Sequence, residues 1–187
     1  MKLNDKKGFS LIEVLLVLGF AAVLIAGAFL AYSSVKSSSQ VNRTAQNVSM
    51  VAAGIKALYA NSPDYEGLSN KLVIDANIAP KDWINGDDLT HGLGSGGSKR
   101  VLISSTNKNN RTEGNLFRIH IYNSQPDVKQ CVALITTLAP QFDAVWLKSG
   151  AGNGGVPLKR INQQLNLART INYCNRYGRN GISFISK

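Results

Sequence analysis

The stretch KKGFSLIEVLLVLGF, Lys6 to Phe20, decides the fold of this chain of 187 residues. It opens an apolar run, Phe9 to Tyr32, whose only side chains with polar atoms are Ser10, Glu13 and Tyr32. About 20 apolar residues in a helix cross the hydrocarbon core of a bilayer, so the run is long enough to span a membrane. A cleaved secretory signal fits less well, because its apolar core is shorter and is followed by a small-residue cleavage site.

The charges before the run predict its orientation in a membrane. Lys2, Lys6 and Lys7 precede it, against the single acid Asp5. Because basic residues stay on the cytoplasmic side, we expect the N-terminus in the cytoplasm and everything after Tyr32 outside it.

The apolar pattern continues beyond this run at helical spacing. Six apolar residues recur four, three, four, three and four positions apart, namely Val41, Ala45, Val48, Ala52, Ile55 and Tyr59. Such spacing is typical of one face of an amphipathic helix. No proline interrupts residues 9–62, so we predict one long helix that ends before Pro63 and is apolar all round in its first half.

Residues 63–187 are predicted to form a globular head. Residues 63–115 are expected to be irregular, with short helical pieces at Leu68–Ile74 and Lys81–Ile84 and a strand at Arg100–Ser104. Alternating apolar residues then predict a half-buried strand in LFRIHIYN, residues 116–123, with His120 on its polar face. Two further strands are predicted, at Phe142–Lys148 and in the C-terminal GISFISK.

Two helices are predicted in this head. The first follows Asp127 as its N-cap and carries Cys131 on its buried face, and the second runs from about Ile161 to Asn175. Helical spacing puts Leu167, Ile171 and Cys174 of the second helix on one stripe. The fold class is therefore α+β, with a long N-terminal helix packed on a head that contains an antiparallel sheet and short helices.

Both cysteines, Cys131 and Cys174, fall in the part predicted to be exported. An oxidising compartment permits a disulfide between them, whereas two buried free thiols are more typical of a cytosolic protein. A bridge would tie the second helix to the first, and closing a loop of that size contributes ~3–4 kcal/mol in the chain-entropy description.

The chain is basic, with a formal net charge of +10. Removing residues 1–8 would subtract three Lys and one Asp and leave +8. A basic exported head favours anionic partners such as nucleic acid or lipopolysaccharide, but net charge alone concerns association and solubility rather than one ligand. A solvated basic surface is the alternative.

Glu13 is the unusual residue of the apolar run. A charged side chain near the middle of a lipid-facing helix costs at least ~2.5–3.5 kcal/mol on insertion scales. No basic residue lies between Phe9 and Val35. Cleavage after Gly8 would give Phe9 a free α-amino group, which is positively charged at neutral pH. The pairing geometry within one helix is poor, so we expect the amine of a neighbouring copy to neutralise Glu13.

The motif KKGFSLIEVLLVLG resembles the N-terminus of type IV prepilins and of the related type II secretion pseudopilins. The resemblance implies that a prepilin peptidase cleaves between Gly8 and Phe9 on the cytoplasmic side and methylates the new amine of Phe9. It also implies that Glu13 recruits the next subunit as a filament grows out of the inner membrane. The apolar helices then move from lipid into the filament core.

The segment Gly54–Ile84 and the late pair Cys131 and Cys174 resemble type IVb pilins, the group of toxin-coregulated, bundle-forming and conjugative thin pili. In that family the disulfide brackets a variable region on the filament surface. The leader of eight residues and the first mature residue Phe9 resemble type IVa pilins instead. The implied organisation is a leader at 1–8, a transmembrane or filament-core half-helix at 9–32, an amphipathic half-helix at 33–62 and a head at 63–187.

The expected function is therefore that of a structural pilin subunit that polymerises into a type IV pilus for adhesion, aggregation or DNA transfer. The alternatives are a minor pilin whose basic head binds DNA or a surface, and a type II secretion pseudopilin. The implied partners are other pilin subunits, the prepilin peptidase, the inner membrane with its pilus assembly machinery, and DNA or an anionic cell surface. The chain is expected in the inner membrane before assembly and in an extracellular pilus afterwards.

No motif predicts catalysis, a cofactor or a metal ion. Gly92, Gly94 and Gly97 match the spacing of a dinucleotide fingerprint, but a strand pattern follows them where that fingerprint needs a helix. His91 and His120 are the only histidines, and neither has a second ligand at metal spacing.

Overall fold

A computed structural model describes residues 10–94, 98–106, 115–122, 127–148, 155–177 and 181–187. The chain divides into two compact units, Met1–Lys36 and Ser37–Lys187. The predicted leader, residues 1–8, and the first mature residue Phe9 lie outside the described residues.

The N-terminal helix α1 runs from Leu11 to Leu58, so the prediction of one long helix is confirmed. In the second unit its buried residues repeat at the predicted spacing, namely Val41, Thr44, Ala45, Val48, Val51, Ala52 and Ile55. Gly54 lets the following segment approach closely, because a Cβ at this position would lie 2.5 Å from Cγ2 of Ile78. This stripe forms one side of the core of the head.

The segment after α1 is more ordered than predicted. Helix α2, Asn70–Asp75, confirms the first short helical piece, and its N-cap Ser69 accepts a hydrogen bond from the backbone N–H of Leu72 at 3.3 Å. The prediction of a second helical piece at Lys81–Ile84 was wrong. Residues 81–83 form a turn into strand β1, Ile84–Asn85, which pairs with β2, Asp88–Thr90. Gly86, at φ 61°, supplies the positive dihedral angle that the two-residue connection requires.

Among the described residues, seven antiparallel strands form one sheet in the order β1-β2-β3-β4-β7-β5-β6. The remaining strands are β3 (Arg100–Thr106), β4 (Leu116–Tyr122), β5 (Ala144–Lys148), β6 (Gly155–Lys159) and β7 (Gly181–Ser186). The predicted strands β3, β4, β5 and β7 are confirmed, and β6 was not predicted. The C-terminal strand β7 lies between β4 and β5, and all six of its residues are buried.

Two further α-helices lie in the described part of the head. Helix α3, Val128–Leu138, begins at the predicted N-cap Asp127, whose carboxylate accepts a hydrogen bond from the backbone N–H of Gln130 at 2.6 Å. Helix α4, Leu167–Tyr177, begins six residues later than predicted. Asn162 has a φ of 63°, which breaks a helix, and the side chain of Asn166 accepts from the backbone N–H of Arg169 at 2.9 Å.

The core of the head is one large cluster that joins α1, α3 and one face of the sheet. Val48, Ile55, Leu134, Phe117 and Phe184 are fully buried in it. A second, smaller cluster contains Leu116, Ala144 and Ile185, with Trp146 and Ile161 packed against it. The α+β fold class predicted from the sequence is confirmed.

Candidate functional site

The first half of α1 exposes an apolar surface. Every large aliphatic or aromatic side chain from Leu11 to Tyr32 is exposed, from 47% for Val14 to 79% for Leu11. By length and composition α1 could cross a membrane, and none of its most apolar window is buried within the chain. An apolar surface of this extent in a protein marks contact with lipid or with another protein.

Glu13 lies in the first turn of α1, within this surface. Its side chain is exposed, and its backbone N–H donates to the carbonyl of Ser10 at 3.0 Å. An acid in the first turn of a helix is stabilised by the helix dipole, but the dipole does not neutralise a full charge. Along the sequence, Lys36 is the first basic residue after it. The amine of Phe9, its expected partner, lies outside the described residues.

Cys131 of α3 and Cys174 of α4 form a disulfide with a Cα–Cα distance of 5.8 Å. Both cysteines are buried, as is Thr170 at 0% exposed. Cys174 and Tyr173 are the α4 residues that pack in the large core cluster within the described part of the chain. The attachment of α4 to the head therefore depends strongly on the covalent link.

The stripe of Leu167, Ile171 and Cys174 on α4 is only partly buried. Leu167 and Ile171 are 52% and 48% exposed, whereas Cys174 is buried. The reason is that Thr170 and Cys174 form the buried edge of α4, which leaves Leu167 and Ile171 on the outside. This exposed aliphatic pair was missed because helical periodicity identifies a face but not the direction in which it points.

The two histidines are both buried, at 3% exposed for His91 and 2% for His120. The sequence predicted His120 on the polar, solvent-exposed face of the half-buried strand β4. This prediction is wrong, because His120 is buried. Its neighbours on β7 are small, so the imidazole lies close to Gly181, and Nδ1 lies 2.6 Å from Oγ of Ser183. Its ring also contacts that of Tyr122 edge to face, with centroids 4.3 Å apart.

His91 connects the loop before β3 to the end of β4. Its Nδ1 accepts a hydrogen bond from the backbone N–H of Leu93 at 3.2 Å, and Nε2 donates to the carbonyl of Tyr122 at 3.1 Å. These two partners require the neutral ring. The pKa of His91 is lowered to about 4, mainly by burial; the hydrogen bond to the carbonyl of Tyr122 opposes this shift, and the positive charge of Lys99 adds to it.

His120 is also neutral over most of the pH range. Burial lowers its pKa to about 3, with smaller contributions in the same direction from the positive charges of Lys148 and Arg118. The ammonium of Lys148 lies 5.6 Å from the centroid of the Tyr122 ring. These basic and aromatic groups stand near the end of β4 where Tyr122 pairs with Gly181.

Several basic residues of the head have structural partners. Ion pairs join Arg43 to Asp82 at 3.0 Å, Lys71 to Asp75 at 3.2 Å and Arg100 to Asp88 at 3.2 Å. Lys159 donates to the carbonyls of Ala139 and Phe142 at 2.7 and 2.6 Å, after the end of α3. In the described ranges, no three His, Cys, Asp or Glu side chains come together as a metal site would require.

Comparison with known proteins gives concordant results. The PilS N-terminal family matches residues 38–187. The major structural subunit of the bundle-forming pilus of Escherichia coli O127:H6 (strain E2348/69 / EPEC) is 27% identical over 139 residues, which are 73% of this chain and 67% of the relative. The corresponding subunit of Escherichia coli O111:H- matches with the same identity and the same coverage of both chains.

Among solved structures, TcpA, a type IV pilin from Vibrio cholerae El Tor biotype, has the same fold. The TM-score is 0.52 at 16% sequence identity, and the match covers 80% of this chain and 99% of TcpA.

Replacing both cysteines, Cys131→Ala with Cys174→Ala, should lower the free energy of unfolding by ~3–4 kcal/mol, because the unfolded chain regains the entropy of an open loop. The midpoint of chemical denaturation of the full chain in detergent measures this. Reducing agent should lower the midpoint of the original chain similarly and leave that of the double variant unchanged. Equal midpoints for the oxidised original chain and the double variant would show that the bridge is dispensable.

Acid should destabilise the head before its carboxylates are protonated. The pKa values of His91 and His120 are lower in the folded chain, at about 4 and about 3, than the ordinary value of 6.5. Below pH 6.5 the unfolded chain therefore binds protons that the folded chain does not. The free energy of unfolding should fall by about 1.4 kcal/mol per pH unit and per histidine as the pH drops from 6.5 towards 4.

Denaturation midpoints between pH 7 and pH 5 measure this slope, since most carboxylates stay ionised there. His120→Gln should remove about half of this slope. A stability that does not change over this interval would contradict the burial of neutral histidines.

Proposed function

Since the chain belongs to the PilS N-terminal family and is a type IVb pilin subunit, we propose that it polymerises through α1 into an extracellular pilus. The observation that carries this proposal is the exposed apolar surface of Leu11 to Tyr32 with one carboxylate, Glu13, in its first turn. The bundle-forming pilus relatives are major structural subunits, which supports the role of a major rather than a minor subunit.

Before assembly, the chain is proposed to lie in the inner membrane with its N-terminus in the cytoplasm. Lys2, Lys6 and Lys7 favour this orientation, and α1 is long and apolar enough to span the bilayer. The prepilin peptidase then cleaves between Gly8 and Phe9 and methylates the amine of Phe9, and the inner-membrane assembly machinery extracts the subunit. The sequence motif at the leader junction supports this order of events.

Glu13 gives the assembly its register. In lipid its charge costs at least ~2.5–3.5 kcal/mol, and this cost is relieved when an opposite charge comes within reach. The amine of Phe9 in a neighbouring copy supplies that charge. The amine of Phe9 in the same chain cannot, because it points away from the Glu13 side chain, which lies one helical turn further along. Pairing between copies therefore fixes the axial displacement of one subunit relative to the next.

Glu13→Gln keeps the size of the side chain and removes its charge. The variant should be cleaved after Gly8 and remain in the membrane, whereas pili recovered by shearing should decrease at least about tenfold, as expected for loss of one close ion pair in a dry environment. Mass spectrometry of the N-terminus measures processing, and immunoblotting of the sheared fraction measures assembly.

Glu66→Gln is the matched control, because Glu66 is an exposed acid of the head. It should assemble normally. Pili of the Glu13→Gln variant in normal amount would refute the role of the charge, and a chain that still begins at Met1 in the original strain would refute the cleavage.

A further inference from the structure

The connection between β2 and β3 is anchored in the head at its first residues. The backbone N–H of His91 donates to the carbonyl of Lys99 at 2.8 Å, which brings the two ends of the connection together. His91 is 3% exposed and Leu93 is 0% exposed. Leu93 belongs to the large core cluster, so this segment is tied to the core by one aliphatic side chain.

The ring of His91 holds Leu93 and the end of β4 at the same time. Its Nδ1 accepts from the backbone N–H of Leu93 at 3.2 Å, and its Nε2 donates to the carbonyl of Tyr122 at 3.1 Å. A carbonyl only accepts and a backbone N–H only donates, so the two bonds together fix the neutral tautomer with its proton on Nε2. We call His91, Leu93 and these two hydrogen bonds the His91 clasp.

A proton on Nδ1 breaks one half of the clasp. The charged ring still donates from Nε2 to Tyr122, but Nδ1 then carries a hydrogen that faces the backbone N–H of Leu93. Two buried donors face each other, and a buried donor without an acceptor loses the hydrogen bond that water would give it. The charged ring is also better solvated by water than by the core. Protonation therefore favours a state in which the segment has left the core.

The backbone on both sides of Leu93 is suited to such a movement. Gly92 is exposed, and a Cβ at this position would meet no atom within 4 Å. Gly94 has a φ of 73°, which glycine adopts without strain. The dihedral angles that flank the aliphatic anchor can therefore change at little steric cost.

The charges at the Lys99 end of the connection oppose a charged ring. Lys99 lowers the pKa of His91 in the same direction as burial does. Arg100, the next residue, is paired with Asp88 of β2 at 3.2 Å, so this carboxylate already has a partner. Burial is the largest of the influences on His91, and it favours the neutral ring.

The groups at the Tyr122 end are basic or neutral. The ring of Tyr122 contacts that of His120 with centroids 4.3 Å apart, and the ammonium of Lys148 lies 5.6 Å from the centroid of the Tyr122 ring. Arg118 lies two residues before His120, on the same face of β4. In the described part of the chain, these contacts bring no carboxylate to this end that could hold a second proton on His91.

We propose that the His91 clasp is an acid-sensitive switch in the head. Mild acid protonates Nδ1 of His91, and residues 91–94 detach from the core and from the end of β4 while the sheet stays folded. The switch is independent of assembly, because it is a change within one head. An exported head, as in the proposed function, would meet the pH outside the cell.

Hydrogen exchange of the Leu93 amide measures the clasp directly, because this N–H donates to Nδ1 of His91. The full chain, isotope-labelled and held as single subunits in detergent, is followed by NMR at pH 7, 6 and 5. Each rate is divided by that of an unfolded peptide at the same pH. The pKa of the ring is about 4 in the closed clasp, against 6.5 when released. Opening should therefore be about 20-fold more frequent at pH 5 than at pH 7.

The amide of Ile119 is the internal reference for unfolding of the whole head, because Ile119 pairs with both β3 and β7. Its corrected exchange should be slower than that of Leu93 at each pH, since local opening leaves the sheet intact. The nitrogen chemical shifts of the imidazole should show the proton of His91 on Nε2 at pH 7, which tests the tautomer without a substitution.

His91→Asn removes the titration and keeps an acceptor, because the side-chain oxygen of Asn can accept from the backbone N–H two residues on. This variant should lose the pH dependence of Leu93 exchange. His120→Gln is the matched control, because it removes the other buried histidine, whose Nδ1 faces Oγ of Ser183 instead. It should keep the change of about 20-fold at Leu93.

Three results would overturn the inference. They are a corrected Leu93 exchange that changes less than about twofold between pH 7 and pH 5, equal protection of Leu93 and Ile119, and full pH dependence in His91→Asn. If that variant does not fold, the first two measurements on the original chain still decide. The subunits stay single in detergent, so a failure here leaves the proposed function standing.

Discussion

The apolar surface of Leu11 to Tyr32 must be removed from water, and no part of the described chain buries it. Lipid can cover the surface of a single subunit, and other copies can cover it in a filament. Moving this surface from lipid into contact with other subunits costs little hydrophobic free energy, because both surroundings are apolar. In the proposed assembly Glu13 makes lipid and filament unequal, since lipid offers no counter-charge and a neighbouring N-terminus would supply one. On this proposal, one carboxylate favours the assembled state.

The same helix also builds the head. Residues 41–55 of α1 provide a buried stripe on which the sheet and α3 pack. The sheet is complete only when the last strand, β7, enters between β4 and β5, so its stability depends on contacts distant in sequence. Helix α4 buries few side chains and is held by the disulfide, which leaves its outward face available for partners.

Local patterns in the sequence predicted the elements that depend on them. The helical spacing of apolar residues predicted α1, the alternation of apolar and polar residues predicted β4, and the N-cap Asp127 predicted the start of α3. The prediction was wrong where tertiary packing decides the outcome: His120 is buried because β7 places small residues beside it. Helical spacing put Leu167 on one stripe with Cys174 but left open which of them is buried, and packing buries Cys174 and leaves Leu167 exposed. Gly86-Asp87, the two-residue connection with Gly first, was a hairpin signal in the sequence that could have identified β1 and β2.

The central claim is that Glu13 finds its counter-charge on a neighbouring copy in a dry filament core. A cryo-electron microscopy reconstruction of isolated pili tests this most directly. The account predicts that residues 11–32 line the core and that the carboxylate of Glu13 lies within about 4 Å of a neighbouring N-terminal amine, the range of an ion pair. A reconstruction with Glu13 facing solvent, or with the helices of neighbouring subunits out of contact, would contradict it.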